Sequence, residues 1–205
     1  MKKTIKLILL GSVWAFFIGV GLVKLYDYEM KAGTTDFVTS HWPKGSNISK
    51  GHKGYQLVMV AHPHCPCTRA SLSELELLMA QTNGNLDVHL LLVKPGQFSQ
   101  EWAETGLFKN AQAVGNINVV VDEDGKQARL FGGTTSGQTF LFDNKGNLIF
   151  AGGITATRGH AGDNAGRKAI VDLVKRGEAN MNRTPFFGCL LHDQSLKSGD
   201  NSHEL

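Results

Sequence analysis

Residues 7–23 (LILLGSVWAFFIGVGLV) carry no charge and leave no polar face, so this run divides the chain before its other features can be read. Its seventeen residues stand at the lower limit for a helix across a bilayer core, and Leu25 and Tyr26 extend it if Lys24 snorkels. Lys2, Lys3 and Lys6 precede it without an acid, which favours a cytoplasmic start and export of the remaining chain. A cleaved leader would end in small residues, whereas this run leads into Lys-Leu-Tyr-Asp-Tyr-Glu. The expectation is an uncleaved anchor over residues 1–31, single-pass in a bacterial inner membrane, with the C-terminal domain in the periplasm.

The formal charge of +3 is accounted for by five lysines and two acids within residues 1–31, so the rest of the chain is neutral. A neutral domain lacks the basic excess of a nucleic-acid binder, and no nucleic-acid partner is expected. The three cysteines are too few for a disulfide scaffold, and the odd count leaves one without a partner.

Residues 32–53 are rich in Gly, Ser and Thr and read as a linker or leading loop, with Trp42-Pro43 as a docking point. The pattern then becomes regular. Residues 55–62 and 86–93 have the length and apolarity of buried strands, and residues 68–81 the three-to-four spacing of a helix. Residues 99–113 are weakly helical, 118–121 form a short strand, and 126–131 a brief helix. A hairpin follows over residues 138–152 around Asn144-Lys145-Gly146. Residues 163–176 form an amphipathic helix, with Asp163 as its cap and Gly177 as its stop. The division is an anchor (1–31), a linker (32–53), an α/β domain (54–177) and a tail (178–205). Alternating strands and helices closed by a hairpin and a helix describe a sandwich around a mixed sheet.

Cys65-Pro66-Cys67 falls between the first strand and the first helix of this domain. The unpaired N–H groups at a helix start carry partial positive charge. A thiolate there is stabilised and becomes a competent nucleophile. Pro66 suits the first turn because it has no N–H to lose. Cys67 is placed to close a small, strained disulfide with Cys65. His62 and His64 precede the pair and share a face if the chain is extended. Neutral imidazoles with two thiolates suit a soft metal such as Cu(I), so Cys65, Cys67, His62 and His64 form an alternative copper site. Cys189, after Pro185-Phe186-Phe187-Gly188, is a resolving thiol, a further ligand or a small buried hydrophobe.

The segment LVMVAHPHCPCT resembles the strand and active-site turn of membrane-anchored thioredoxin-like reductases, and VVVDEDGKQARLFGGTTSGQTFLFDNKGNLIFAGGI resembles their later half. Taken together, HPHCPCTRASLSELELL, TSGQTFLFD, GGITATRGHAGDNAGR and FFGC are similar to the RedB-like family, over about residues 40–191. The resemblance implies a thioredoxin-like three-layer α/β/α sandwich with a mixed sheet, preceded by one transmembrane helix. It also implies a thiol–disulfide oxidoreductase acting on protein thiols or disulfides in the periplasm, with no cofactor. Cys65 would attack and Cys67 resolve. Pro66, Ser136, Gly137 and Gly153 would line the substrate site, with Arg158 brought to the same face beside His160, the candidate catalytic acid/base or ligand, and with Cys189 in reach.

Two positions depart from the redox-active relatives. Their second cysteine lies where this chain has Thr68, and their cis-proline before the hairpin is replaced by Gly137. A cis bond before a non-proline residue is costly, so Gly137 is expected in a trans or unusual backbone conformation.

Overall fold

The computed structural model describes residues 2–35, 37–51 and 54–191. The expected tail beyond residue 191, like His52 and Lys53 of the leading segment, lies outside the described residues. The chain divides into two compact units, Met1–Lys31 and Ala32–Leu205. The first is a single helix, α1 (Lys2–Glu29), long and apolar enough to cross a membrane. At the rise of an α-helix its 28 residues exceed the roughly 30 Å of a bilayer's hydrocarbon core.

In the second unit β1 (Tyr55–Ala61), β2 (Leu86–Lys94), β3 (Ile117–Glu123), β4 (Gln138–Phe142) and β5 (Leu148–Gly153) form one sheet of order β3-β2-β1-β4-β5. β1, β2 and β3 run parallel; β4 lies antiparallel on the other side of β1, and β5 antiparallel on β4. Helices α2 (Pro66–Gln81), α3 (Gln100–Ala103), α4 (Gly106–Ala113), α5 (Lys126–Phe131) and α6 (Ala165–Arg176) connect and cover the strands.

Successive residues of a strand point to opposite faces, so β1 feeds two cores. Leu57 and Met59 join Leu72, Leu75 and Leu78 of α2 and Ile170 and Leu173 of α6. Val58 and Val60 join Phe131 of α5 with Phe140 and Phe142 of β4. Burial on both faces is why β1 and β2 read as continuous apolar runs rather than alternating ones. The result is the thioredoxin-like three-layer α/β/α sandwich with a mixed sheet.

The leading segment is a packed cover more than a free linker. Trp42 meets Phe131, Phe142 and His89 edge-on, with ring centroids 5.2, 5.3 and 5.7 Å away, and Ile48 is buried in the same cluster. Asp122, at the end of β3, accepts from the N–H groups of Gln127 and Ala128 at 2.8 and 2.7 Å and so holds the start of α5.

Three of the elements whose bounds differ from the sequence reading have a clear physical reason. The helix expected over residues 99–113 is broken at Glu104-Thr105, where the Thr105 hydroxyl donates to the Pro63 carbonyl at 3.2 Å. That bond ties the break to the turn before the cysteines. β3 is longer than expected because its pairing with β2 continues to Lys94 and Glu123. The cap of α6 is Asn164, whose side chain accepts from Arg167 N–H at 2.7 Å; Asp163 instead pairs with the Arg167 guanidinium at 3.1 Å.

The Thr135–Gly137 loop before β4, the end of β5 at Gly153 and the turn after β1 all lie at one end of the sheet. The register fixes this, because Gln138 pairs with Gly153 and Met59 with Thr139. It is the carboxyl end of the parallel strands, where open α/β sheets place their sites.

Candidate active site

Cys65 is the N-cap of α2, with φ −85° and ψ 125°, and Pro66 begins the helix. No side chain caps this helix start, so its first-turn N–H groups remain a source of positive potential. The turn is locked from inside. Thr68 Oγ1 donates to the His62 carbonyl at 2.8 Å and lies 2.9 Å from Ser136 Oγ, which accepts from His62 N–H at 3.1 Å. Gly137 N–H donates to Val60 O at 2.8 Å, with φ +89°. A Cβ at Gly137 would stand 2.7 Å from Ser71 Oγ, so both conformation and space call for glycine. Among the described residues no peptide bond is cis. Thr68 and Ser136 thus bind the thiol turn to the loop before β4.

The thiols of Cys65, Cys67 and Cys189 converge, with sulfur atoms within 4.8 Å of one another. Cys65 and Cys189 sulfurs are 2.9 Å apart, within hydrogen-bonding distance, and all three cysteines are free. Cys65 and Cys67 are buried, at 2% and 5% exposure. Burial works against ionisation of Cys65, yet side-chain and backbone hydrogen bonds from Cys189 and Cys67 outweigh it and hold its thiol below the ordinary value. Burial and the neighbouring Cys65 charge push Cys67 up to about 11. Burial and the bond to Cys65 push Cys189 up to about 12. The positive charge of Arg158 acts on both in the opposite sense. The cluster therefore holds one thiol poised to ionise and two that keep their protons.

This asymmetry has a stability consequence. Above pH 9.0, the ordinary thiol value, an unfolded chain releases the protons of Cys67 and Cys189, while the folded chain keeps them. The unfolded state then binds fewer protons, so stability falls as pH rises from about 9 towards 11 and beyond. Cys65 has the opposite shift: its contribution is complete above the ordinary value and is lost as pH falls through its lowered one. It cannot offset the alkaline loss. Urea midpoints of the reduced protein should drop over that alkaline window, and the drop should shrink when Cys67 and Cys189 are both serine. Identical alkaline profiles for the two proteins would refute the assignment.

Residues 182–191 lie along this end of the sheet. Cys189 O accepts from Ser136 N–H at 2.9 Å, Leu191 N–H donates to Thr134 O at 2.9 Å, and Leu190 bridges Thr135 in antiparallel sense. Pro185 O accepts from Gly153 N–H at 3.2 Å, and Arg158 Nη1 donates to Gly188 O at 2.5 Å. A Cβ on Gly188 would collide with Ser136 O, so only glycine lets the two backbones approach.

The residues singled out in sequence separate accordingly. Cys65, Pro66, Cys67, Ser136, Gly137, Gly153 and Cys189 belong to the thiol end of the sheet, where Ser136 contributes its backbone N–H while its side chain is spent on the internal lock. His62 and His64 turn to another task. His62 Nδ1 accepts from His64 N–H at 3.2 Å, and His64 Nε2 lies 2.9 Å from Trp102 O. Both rings pack on Trp102, with centroids 5.5 and 4.4 Å away, and Trp102 stacks on Phe98 at 4.9 Å. Burial and the His64 charge lower the His62 pKa. Among the described residues the clustered donor set is three sulfurs, with neither histidine in it. His160 stands exposed, its Nδ1 2.9 Å from Arg158 O and 3.1 Å from Thr157 Oγ1, also outside the sulfur cluster.

Sequence reasoning passed over Glu74. It is fully buried on α2, 3.0 Å from Arg167 Nε, and accepts from Gly162 N–H at 2.6 Å and Asn164 Nδ2 at 2.9 Å. It fastens the loop that carries Arg158 to α2. It is one of two acids among the leucines of SELELL, and nothing local distinguishes it from the exposed Glu76.

No protein-family model matches the chain. No curated protein matches it. Among solved structures it is similar to a hypothetical protein of Sinorhizobium meliloti 1021, at 20% identity and TM-score 0.56, over 79% of this chain and 94% of that one. It is also similar to an uncharacterized conserved protein of Geobacillus kaustophilus, at 14% identity and TM-score 0.57, over 79% of this chain and 96% of that one. These likenesses agree with the fold.

Proposed function

We propose that the chain is a membrane-anchored thiol–disulfide redox protein, with α1 in a bacterial inner membrane and the thioredoxin-like domain in the periplasm. The observation that carries this reading is the pairing of a Cys65 thiol held below its ordinary pKa with two protonated thiols in reach. The Cys65 thiolate attacks one sulfur of a partner protein's disulfide. The partner's other sulfur leaves and takes up a proton. A second thiol of this chain, Cys67 or Cys189, then gives up its proton and attacks Cys65 Sγ, expelling the partner's remaining sulfur as a thiol. Two electrons pass to the partner, and the reverse sequence oxidises a partner dithiol. No resident cofactor is required. The similarity to the RedB-like family supports the same reading, as do the apolar helix and its basic start.

A second reading is favoured by the three-sulfur cluster itself. Thiolates suit Cu(I), and the ligands would then be Cys65, Cys67 and Cys189, not the histidines. Two features weigh against it. Protons held to about 11 and about 12 must be released on binding. A metal at about 2.3 Å from each sulfur would also set sulfurs about 4 Å apart, beyond the 2.9 Å between Cys65 and Cys189.

The deciding experiment is exchange between the full chain, in a membrane mimic, and a disulfide-bonded protein. Turnover that depends on Cys65 is expected. Equal turnover by Cys65→Ser protein would overturn the proposal.

A further inference from the structure

The sheet end that would receive a partner is already occupied by the chain's own residues 183–191, docked in the way an extended peptide docks. Backbone pairing to Thr134, Ser136 and Gly153 runs along the segment, with an antiparallel bridge between Thr135 and Leu190. Phe187 is buried, and Gly188 lies flat on the Ser136 carbonyl. The pairing sets Cys189 directly against Cys65, sulfur to sulfur at 2.9 Å. Strand-like addition of this kind takes its affinity from main-chain hydrogen bonds, so another extended segment can compete for the same edge.

We propose that residues 183–191 are a tethered substrate surrogate. They cover Cys65 at rest, an extended cysteine-bearing segment of the partner displaces them, and Cys189 returns to form the internal disulfide with Cys65. This rests on the thiol–disulfide reading and deepens it by naming the resolving thiol and the form of the substrate. The balance is complete with a disulfide as oxidant. Cys65 Sγ bonds to one oxidant sulfur as the oxidant's S–S bond breaks, and the first oxidant thiol leaves. Cys189 Sγ then bonds to Cys65 Sγ as the second thiol leaves, and the two protons pass from this chain's thiols to the oxidant's. Partner and tail cannot occupy one groove together, so the tail opens before the first step and closes for the second.

The test uses the full chain in detergent micelles, glutathione disulfide as oxidant, acid quenching and mass-spectrometric mapping. Wild-type and Cys67→Ser protein should both yield a peptide pair linking Cys65 to Cys189. Cys189→Ser protein should instead accumulate glutathione on Cys65. Linkage of Cys65 to Cys67, with Cys189 free, overturns the surrogate while leaving the redox reading standing. No disulfide at Cys65 in any of the three proteins removes both. The cover is tested separately by Gly188→Val, whose side chain collides with the Ser136 carbonyl and undocks the tail. At a pH where reagent rates have levelled off, Cys65 alkylation should rise about tenfold or more, as local opening becomes unnecessary. An unchanged rate overturns the cover.

Discussion

Cys65→Ser protein should lose exchange with a protein disulfide by about a thousandfold or more, because a hydroxyl neither ionises in the accessible range nor forms a mixed disulfide. The claim is sharper than the general importance of a cysteine, because the three thiols are unequal. Cys65 alone is held below the ordinary thiol pKa, by hydrogen bonds from its two neighbours that overcome burial. Cys67 and Cys189 are pushed up to about 11 and about 12, by burial first and by Cys65 next. Neither competes with Cys65 for the first attack on a partner disulfide near neutral pH, because burial opposes ionisation of both. Removing Cys65 also removes the charge that raises its neighbours, so the Cys67 and Cys189 pKa values should fall part of the way back, burial remaining. Single-turnover exchange and thiolate absorbance titration measure the two effects. A residual rate within about tenfold of wild type would place the nucleophile elsewhere.

Glu74→Ala should cost roughly 3–5 kcal/mol, the range for breaking a buried ion pair by removing one partner. Glu74 is fully buried, and its carboxylate is the acceptor for Arg167 Nε, Gly162 N–H and Asn164 Nδ2 at 3.0, 2.6 and 2.9 Å. Alanine would strand a guanidinium that is only 12% exposed, along with two donors. Its other carboxylate, Asp163, is fully exposed, and surface pairing of that kind contributes little. The consequence reaches the thiols. The same loop carries Arg158, which holds the tail at Gly188 O, so the variant should also dock the tail less firmly. Urea unfolding reports the first effect and Cys65 alkylation the second. A loss under about 1 kcal/mol would mean that Arg167 finds a sufficient partner in Asp163 or water.

Much of the architecture was legible because its signals are local. The lengths of β1 and β2, the three-to-four spacing of Leu72, Leu75 and Leu78, the Pro66 helix start and the Gly177 stop each follow from one stretch of chain. The break at Thr105 was not, because it depends on a hydrogen bond to Pro63, forty-odd residues away. The thiol turn was legible for the same local reason: a strand end, then Cys-Pro-Cys, then a helix. His62 and His64 looked like ligands from spacing alone, but Trp102, distant in sequence, draws both rings to itself. Cys189 is the reverse case. It stood out in sequence as a candidate resolving thiol, but the backbone pairing between the tail and residues 134–136 that sets it against Cys65 was not visible there.

Redox equilibration tests the central claim most directly. The full chain is held against graded ratios of reduced and oxidised glutathione, quenched with acid, and its free thiols are counted and mapped. The account predicts one two-electron transition, with Cys65 among the linked cysteines and the third thiol free. Three free thiols at every ratio, with no disulfide at Cys65, would contradict it.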